Sequence, residues 1–210
     1  MHVDGAFGLW ARASPERRHL ADGVEGADSW ATDAHKWLNT PQDSGVAFVS
    51  DAQAHRAAMT LSASYMASSD AARDEINWTP DWTRRARGFA VYAALRELGR
   101  DRVAALINRC CIHASALARG ISVLPNVELI AAPTPNQGLV RFLDPNSSHE
   151  TDHDLRTDAV IQAINDTGEA FFSGAAWQGR RVMRISVCNW RTSAADVERT
   201  IDAVASVLNG

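Results

Sequence analysis

The sequence predicts an α/β protein with a small α+β unit at its C-terminal end. Three patterns support this prediction. Short apolar runs typical of strands occupy the first fifty residues, apolar side chains recur at three- and four-residue spacing in the middle, and strand and helix patterns alternate after about residue 120. We therefore expect two units, at residues 1–98 and 99–210.

Three strands are expected in the first unit, at residues 2–4, 28–34 and 45–50. The run GVAFVS at residues 45–50 is apolar and uninterrupted, so we expect this strand to be covered on both faces. Residues 51–80 are rich in Ala and Ser and poor in large apolar side chains, which favours a loop.

A helical pattern begins near Thr83 and continues as an amphipathic stripe. Two adjacent cysteines belong to this stripe, and we predict that they are core residues rather than ligands. Glycine weakens helices, so Gly99 and Gly120 are expected to interrupt this one. The apolar positions of the stripe are Val103, Leu106, Ile107, Cys110, Cys111, Ala114 and Leu117.

The second unit continues with alternating strands and helices. A helix is expected over residues 154–167 with Gly168 at its end, and another from Ser193, where Asp196 supplies the partner of a capping box. The expected strands are residues 127–133, 138–144, 169–174 and 181–189.

Composition excludes several classes of protein. The formal charge is −4, from 25 acidic and 21 basic residues, and no basic block suits a nucleic acid. No run of roughly 18 apolar residues predicts a membrane span, and the N-terminal residues lack a signal-peptide pattern. Cys110, Cys111 and Cys188 show no disulfide framework and no metal-ligand spacing. We expect no metal and a cytoplasmic location.

Lys36 is the single lysine of the chain, against 20 arginines. Arginine replaces lysine at most solvated positions, but it cannot lose its proton to become a nucleophile. One interpretation is therefore that position 36 needs a reactive amine. Compositional bias with one surviving lysine explains the same count, and the count alone does not separate the two.

Two charged residues follow predicted strands. Asp4 ends the first strand, and Lys36 follows the second with His35 beside it. Ligands of parallel α/β sheets bind beyond the carboxyl ends of strands. A carboxylate and an amine at two such ends are therefore expected to converge on one ligand.

Four segments carry a resemblance to a known family. The segments HVDGAFG, DSWATDAHKWLNTPQDSG, WTRRARGF and WQGRRVMRISVCNWRT occur in family order and resemble the pyridoxal-phosphate-dependent amino-acid decarboxylases of the aromatic-amino-acid/glutamate type (group II). The resemblance implies a partial aspartate-aminotransferase-like fold (fold type I). Residues 1–98 would be the remainder of the large cofactor domain and residues 99–210 the small C-terminal domain. It also implies that pyridoxal 5′-phosphate is the cofactor.

The resemblance assigns five site residues. Lys36 resembles the lysine that forms a Schiff base with the cofactor, and Asp4 resembles the carboxylate that pairs with the pyridine nitrogen. Ala6 is similar to the small residue packed near the cofactor ring, and His35 to the histidine beside the reactive lysine. Tyr65 is similar in placement to the mobile-loop tyrosine that protonates the product carbanion. A family arginine pair matches Arg84 and Arg85, without a role that we can assign.

The family supplies a phosphate-binding turn and a ring-stacking histidine from a segment upstream of the one seen here. The chain is therefore expected to be the C-terminal half of a decarboxylase, acting on an amino acid as a homodimer or with a complementing N-terminal chain. Two alternatives stay open: a non-catalytic fragment or pseudoenzyme, and an aminotransferase or other fold-type I enzyme. The sequence leaves the amino-acid substrate open.

Overall fold

The computed structural model describes residues 1–60 and 73–210. Its first sheet has three strands, β1 (His2–Asp4), β2 (Ser29–Asp33) and β3 (Gly45–Val49), in the order β1-β2-β3. β1 pairs with β2 in parallel, and β2 pairs with β3 antiparallel. All three strands lie where the sequence predicts strands.

Short helices connect these strands. Three 3-10 turns join β1 to β2, and the four-residue helix α1 (Ala34–Trp37) follows β2 directly. The prediction of a loop over residues 51–80 was wrong in part, because α2 (Ala52–Met59) and a 3-10 turn at Glu75–Asn77 lie there. Asp51 caps α2, since its carboxylate accepts hydrogen bonds from the N–H groups of Gln53 and Ala54.

The longest helix, α3 (Arg87–Ser122), is interrupted once. Gly99 has φ 65° and ψ 177°, a conformation that glycine adopts without strain, so the predicted interruption there is confirmed. Gly120 does not interrupt α3. A Cβ at this position would overlap the side chain of Ile201, so glycine here permits α3 to pack closely against the last helix. The domain boundary at residues 98 and 99 coincides with the interruption and stays a prediction.

The second sheet has four antiparallel strands in the order β4-β5-β7-β6. These strands are β4 (Val127–Ala131), β5 (Gln137–Phe142), β6 (Ser173–Trp177) and β7 (Arg180–Ser186), and two helices pack with them, α4 (Glu150–Asp166) and α5 (Ala194–Asn209). Gly168, at φ 75°, follows the end of α4 as predicted. Ser193 and Asp196 form the predicted capping box of α5.

One strand of this sheet begins later than predicted. Residues 169–174 were expected to be a strand, whereas β6 begins at Ser173. The backbone of Phe172 instead bonds to the side chain of Asn165, which donates to the Phe172 carbonyl at 3.0 Å and accepts from its N–H at 2.8 Å. A side chain of α4 therefore occupies the groups that a strand would have used.

The buried core belongs mainly to the second unit. It is built from α3, α4, α5 and the inner faces of β5 and β7, and Cys110 and Cys111 are fully buried in it as predicted. In contrast, β3 is not covered on both faces, because Phe48 is 44% and Val49 40% exposed. β3 is an edge strand of a three-stranded sheet, and in the described chain Phe48 packs mainly against Trp30. No helix among the described residues has the length and apolarity to cross a membrane.

Candidate functional site

The predicted site lies at the carboxyl edge of the parallel pair β1 and β2. Asp4 is the last residue of β1 and stands opposite Ala31 in the register of the pair. The pairing continues one step further, because the Gly5 N–H donates to the Ala31 carbonyl at 2.8 Å. Lys36 lies in α1, which begins directly after β2. Both charged residues therefore follow the same edge of the sheet.

The Lys36 amine has two neighbours in the described chain. Its Nζ lies 2.8 Å from a carboxylate oxygen of Asp33 and 4.4 Å from the centre of the Phe7 ring. The lysine side chain keeps about a quarter of its surface exposed (26%), which leaves the amine accessible to a ligand. The sequence did not single out Asp33 or Phe7, although both stand next to the motif residues.

His35 lies near the same carboxylate oxygen of Asp33 as Lys36 does. Its Nε2 lies 3.8 Å from the Asp33 Oδ2, too far for a direct hydrogen bond. Its Nδ1 is buried and has no hydrogen-bond partner in the described part of the chain. A buried polar atom without a partner is costly, so Nδ1 is a candidate for a hydrogen bond to a group that the described residues do not supply.

Asp4 also retains an unused polar atom. Its Oδ1 accepts a hydrogen bond from the Ala6 N–H at 3.1 Å, and no hydrogen bond or ion pair within residues 1–60 and 73–210 engages its Oδ2. Since Asp4 is exposed, that oxygen is available to a ligand that carries an N–H. Ala6 is half-buried next to it, and its small side chain leaves room beside the carboxylate.

Of the remaining predicted residues, Tyr65 lies outside the described residues, and the structure describes Arg84 and Arg85. Arg84 contacts Glu75, with Nη2 at 3.4 Å from Oε2, and Arg85 contacts Asp43 at 3.6 Å. The arginine pair is therefore engaged with acidic side chains of neighbouring loops, and its role stays unassigned.

Cys188 connects the turn that carries Lys36 (residues 34–39, the lysine turn) with the second unit. Burial raises the pKa of its thiol, and the positive charges of Lys36 and Arg184 oppose this effect. The Cys188 carbonyl accepts a hydrogen bond from the Asn39 side chain at 3.0 Å, which links the two segments. Burial also raises the pKa of Cys110, to about 12, so this thiol stays protonated at neutral pH, as expected of a core residue.

The described residues contain no cluster of three or more His, Cys, Asp or Glu that could hold a metal ion. A cavity of about 600 Å³ opens near the interruption of α3, but none of the four described site residues, Asp4, Ala6, His35 and Lys36, lines it. Its walls include Trp10, Leu95 and Val103. Trp10 also donates its indole N–H to the Asp33 carbonyl at 3.2 Å, so the cavity adjoins the end of β2 without including Lys36 among its walls.

Comparison with protein families supports the resemblance seen in the sequence. The profile of the pyridoxal-dependent decarboxylase conserved domain matches residues 1–143. Among curated proteins, tryptophan decarboxylase 2 of Oryza sativa subsp. japonica is 26% identical over 99% of the chain, which covers 41% of that protein. The aromatic-L-amino-acid decarboxylase of Drosophila lebanonensis is 28% identical over the whole chain, which covers 50% of that protein.

Comparison with solved structures supports the same fold. A crystal structure of Oryza sativa TDC with PLP and tryptamine superposes with a TM-score of 0.91 at 22% identity, over 99% of this chain and 44% of that one. Mouse CSAD superposes with a TM-score of 0.85 at 20% identity, over 98% of this chain and 45% of that one. The predicted partial fold-type I architecture is confirmed. The chain spans half or less of the length of these relatives.

Proposed function

Since the chain belongs to the pyridoxal-dependent decarboxylase family, we propose that it is part of a pyridoxal-phosphate-dependent carboxy-lyase that acts on an amino acid. In this proposal Lys36 supplies the amine that attaches to the cofactor, and Asp4 holds the proton on the pyridine nitrogen. The observation that carries the proposal is the parallel register of β1 and β2, which leads both residues to one edge of the sheet.

The polar atoms at this edge suit the cofactor. The free Oδ2 of Asp4 can accept a hydrogen bond from a protonated ring nitrogen, and the opposite charge stabilises that protonated form. Ala6 leaves space for the flat ring, and the unpartnered Nδ1 of His35 offers a further hydrogen bond. Pyridoxal phosphate, when bound, supplies an electron sink for the charge left at the substrate Cα by loss of carbon dioxide.

Lys36 must lose a proton before it acts as a nucleophile. Asp33 contacts the ammonium at 2.8 Å, so its carboxylate holds the charged amine in place until the proton leaves. The Phe7 ring covers the amine from another side. We propose that these two residues orient Lys36 and that Tyr65 is the acid that later delivers a proton to the substrate Cα.

The assembly and location belong to the same proposal. The chain covers 41% of the length of one curated decarboxylase and 50% of another, so the active protein is proposed to be a homodimer or a complex with a complementing N-terminal chain. The small-molecule partner is an amino acid. A cytoplasmic location remains our expectation, in keeping with three free cysteines.

Covalent attachment of the cofactor is the first test. The chain is incubated with pyridoxal phosphate and reduced with borohydride, and the labelled peptide is identified by mass spectrometry. Because Lys36 is the single lysine, we expect one labelled side chain and loss of the label in Lys36→Ala. The α-amino group of Met1 is the internal comparison. Absence of label at Lys36, or label that persists in Lys36→Ala, contradicts the proposal.

Asp4→Asn tests the second assignment. The change keeps the size of the side chain and removes its charge, so the proton on the ring nitrogen loses its stabilising partner. We expect attachment at Lys36 to persist and its visible absorbance band to shift. Asp22→Asn, an exposed acid of the same unit, is the matched control and is expected to leave the band unchanged. An unshifted band in Asp4→Asn removes Asp4 from the site.

Product analysis separates a lyase from the two alternatives. The chain is incubated with pyridoxal phosphate, left unreduced, and mixed with candidate amino acids, alone and with a complementing N-terminal segment from a relative. Release of carbon dioxide supports the proposal, and formation of a keto acid identifies an aminotransferase instead. Attachment without turnover in either mixture supports a non-catalytic fragment.

A further inference from the structure

One side chain joins the lysine turn to the second unit. Asn39 lies three residues after Lys36, in the left-handed conformation with φ 51°. Its Nδ2 donates to the carbonyl oxygen of Lys36 at 2.6 Å and to that of Cys188 at 3.0 Å. Its Oδ1 accepts the N–H of Trp190 at 3.0 Å. The amide group thus uses both ends to connect segments about 150 residues apart in sequence.

The far end of this bridge is firmly attached to the core. Asn136, which is fully buried, donates from Nδ2 to the Val187 carbonyl at 2.7 Å and accepts the Val187 N–H on its own carbonyl at 3.2 Å. Arg109 of α3 donates to the Trp190 carbonyl at 3.0 Å. The segment at residues 187–190 therefore cannot shift without breaking hydrogen bonds to Asn136, which directly precedes β5, and to Arg109 of α3.

The near end of the bridge is the backbone of Lys36 itself. The next residue, Trp37, is fully buried, and its indole N–H donates to the Phe7 carbonyl at 3.1 Å. Trp37 fixes one side of the turn, and Asn39 fixes the carbonyl of Lys36 on the other. Because α1 has only four residues, its own hydrogen bonds do little to hold it.

We propose that Asn39 is a positioning residue for the Lys36 amine: it fixes the lysine turn to residues 188–190, so that the second unit sets where the amine points. The inference rests on the role proposed above for Lys36. Asparagine suits the position because it tolerates positive φ and carries a donor and an acceptor on one group. Aspartate lacks the donor, and glycine keeps the backbone conformation but lacks the bridge.

Asn39→Gly isolates the bridge from the backbone. Glycine adopts φ 51° freely, so the turn can keep its shape while the four hydrogen bonds of the Asn39 side chain are lost. Asn126→Gly is the matched control, since Asn126 has φ 58° and its side chain makes no hydrogen bond within the described chain. We expect attachment of pyridoxal phosphate at Lys36 to slow by about tenfold in Asn39→Gly and to be unchanged in Asn126→Gly.

A second readout needs no cofactor. The cofactor-free chain is treated with an amine-reactive reagent, and labelling of Lys36 is measured against labelling of the α-amino group. Loss of the bridge should loosen the contact of Lys36 with Asp33, so Lys36 in Asn39→Gly is expected to react roughly threefold faster. Asn39→Asp, which keeps only the acceptor for Trp190, should resemble Asn39→Gly, and Asn126→Gly should resemble the unmodified chain.

The two readouts separate failure of this inference from failure of the proposed function. If the unmodified chain takes no cofactor at Lys36, the proposed function is wrong, and the reagent experiment alone decides the role of Asn39. If Asn39→Gly matches Asn126→Gly in the rate of reagent labelling, Asn39 does not position the amine. A loss of stability in Asn39→Gly with both rates unchanged assigns a purely structural role and overturns the inference.

Discussion

The three-stranded and the four-stranded sheet differ in how far the described chain covers them. In β7 the side chains of Val182, Met183 and Ile185 are fully buried, whereas no residue of β3 is buried and Phe48 is 44% exposed. The four-stranded sheet has its helices packed on it and forms a core of its own. The three-stranded sheet buries little of its surface within the described residues, and it carries the candidate site at one edge.

Among the described residues, the buried part of the first unit that belongs to the main core is one short segment. Of the 23 buried residues in that core, the described residues of the first unit contribute three, Ala34, Trp37 and Leu38. All three lie within two residues of Lys36 or His35. Stability is therefore expected to depend mainly on the second unit and chemistry on the first, with the lysine turn as one of the places where the two meet.

The largest effect is expected from Trp37→Ala. Trp37 is fully buried and hydrogen-bonded to Phe7, so its removal leaves a large cavity at the junction and should cost about 3–5 kcal/mol of unfolding free energy. Urea unfolding followed by circular dichroism measures it. Trp30→Ala is the comparison within the three-stranded sheet, where Trp30 is only half-buried against Phe48. Equal losses of unfolding free energy in the two variants would mean that the three-stranded sheet is as well packed as the core.

Arg141→Ala is expected to come next. Arg141 is 1% exposed and donates to Glu150 and Asp154, each at 2.6 Å. Loss of a buried partner of this kind costs about 3 kcal/mol, at the lower end of the usual range because the two acids are partly exposed to water. Burial by itself would raise the pKa of Asp154, but hydrogen bonds from the Arg181 N–H and the Arg141 guanidinium, together with the two positive charges, lower it overall.

Arg181→Ala is the matched control for this prediction. Arg181 binds Asp158 at 2.7 Å, but both side chains are more than a third exposed, so the loss should stay below about 1 kcal/mol. Arg141→Met retains most of the buried volume and separates packing from charge. A loss in Arg141→Ala as small as that in Arg181→Ala would show that the buried ion pair adds no stability.

Sequence predicted best where the signal is local. The capping box at Ser193, the left-handed Gly168 and the apolar stripe of α3 depend on residues within a few positions of one another, and all were found. The strand at residues 169–174 was misplaced because a distant side chain, Asn165, takes the backbone of Phe172. Gly120 was misread because its close neighbour lies 81 residues away, in α5.

The candidate site shows the same division. Sequence motifs named Asp4, Lys36, His35 and Ala6, and the sheet register leads the first two to one edge, while their roles stay predictions. Motif reading missed the carboxylate of Asp33, although it lies three residues from the lysine. It missed the bridge of Asn39 because the partners are known only once residues 188–190 are placed next to the lysine turn.

A smaller effect is expected from Ser193→Ala at the start of α5. The Ser193 hydroxyl accepts the N–H of Asp196, and the Asp196 carboxylate accepts the N–H of Ser193. Loss of an N-cap costs about 1 kcal/mol, measured by urea unfolding at neutral pH. Asp51→Ala removes the equivalent cap of α2 in the first unit. If α2 is outside the cooperative core, Asp51→Ala should change the unfolding free energy less than Ser193→Ala does.

The smallest expected effect is a change in the free energy of unfolding at acidic pH. The hydrogen bond from Ser193 is the main cause that lowers the pKa of Asp196 from its ordinary value of 3.8 to about 2. A carboxyl whose pKa is lower in the folded state stabilises the fold above the unfolded pKa and loses this contribution as pH falls through the folded pKa. The stability difference between the unmodified chain and Asp196→Asn should therefore be full at pH 5 and shrink towards about pH 2. In the Ser193→Ala background the same comparison should vary less with pH, because the main cause of the lowered pKa is gone. An unchanged pH dependence in that background would show that the second unit does not owe its acid sensitivity to this cap.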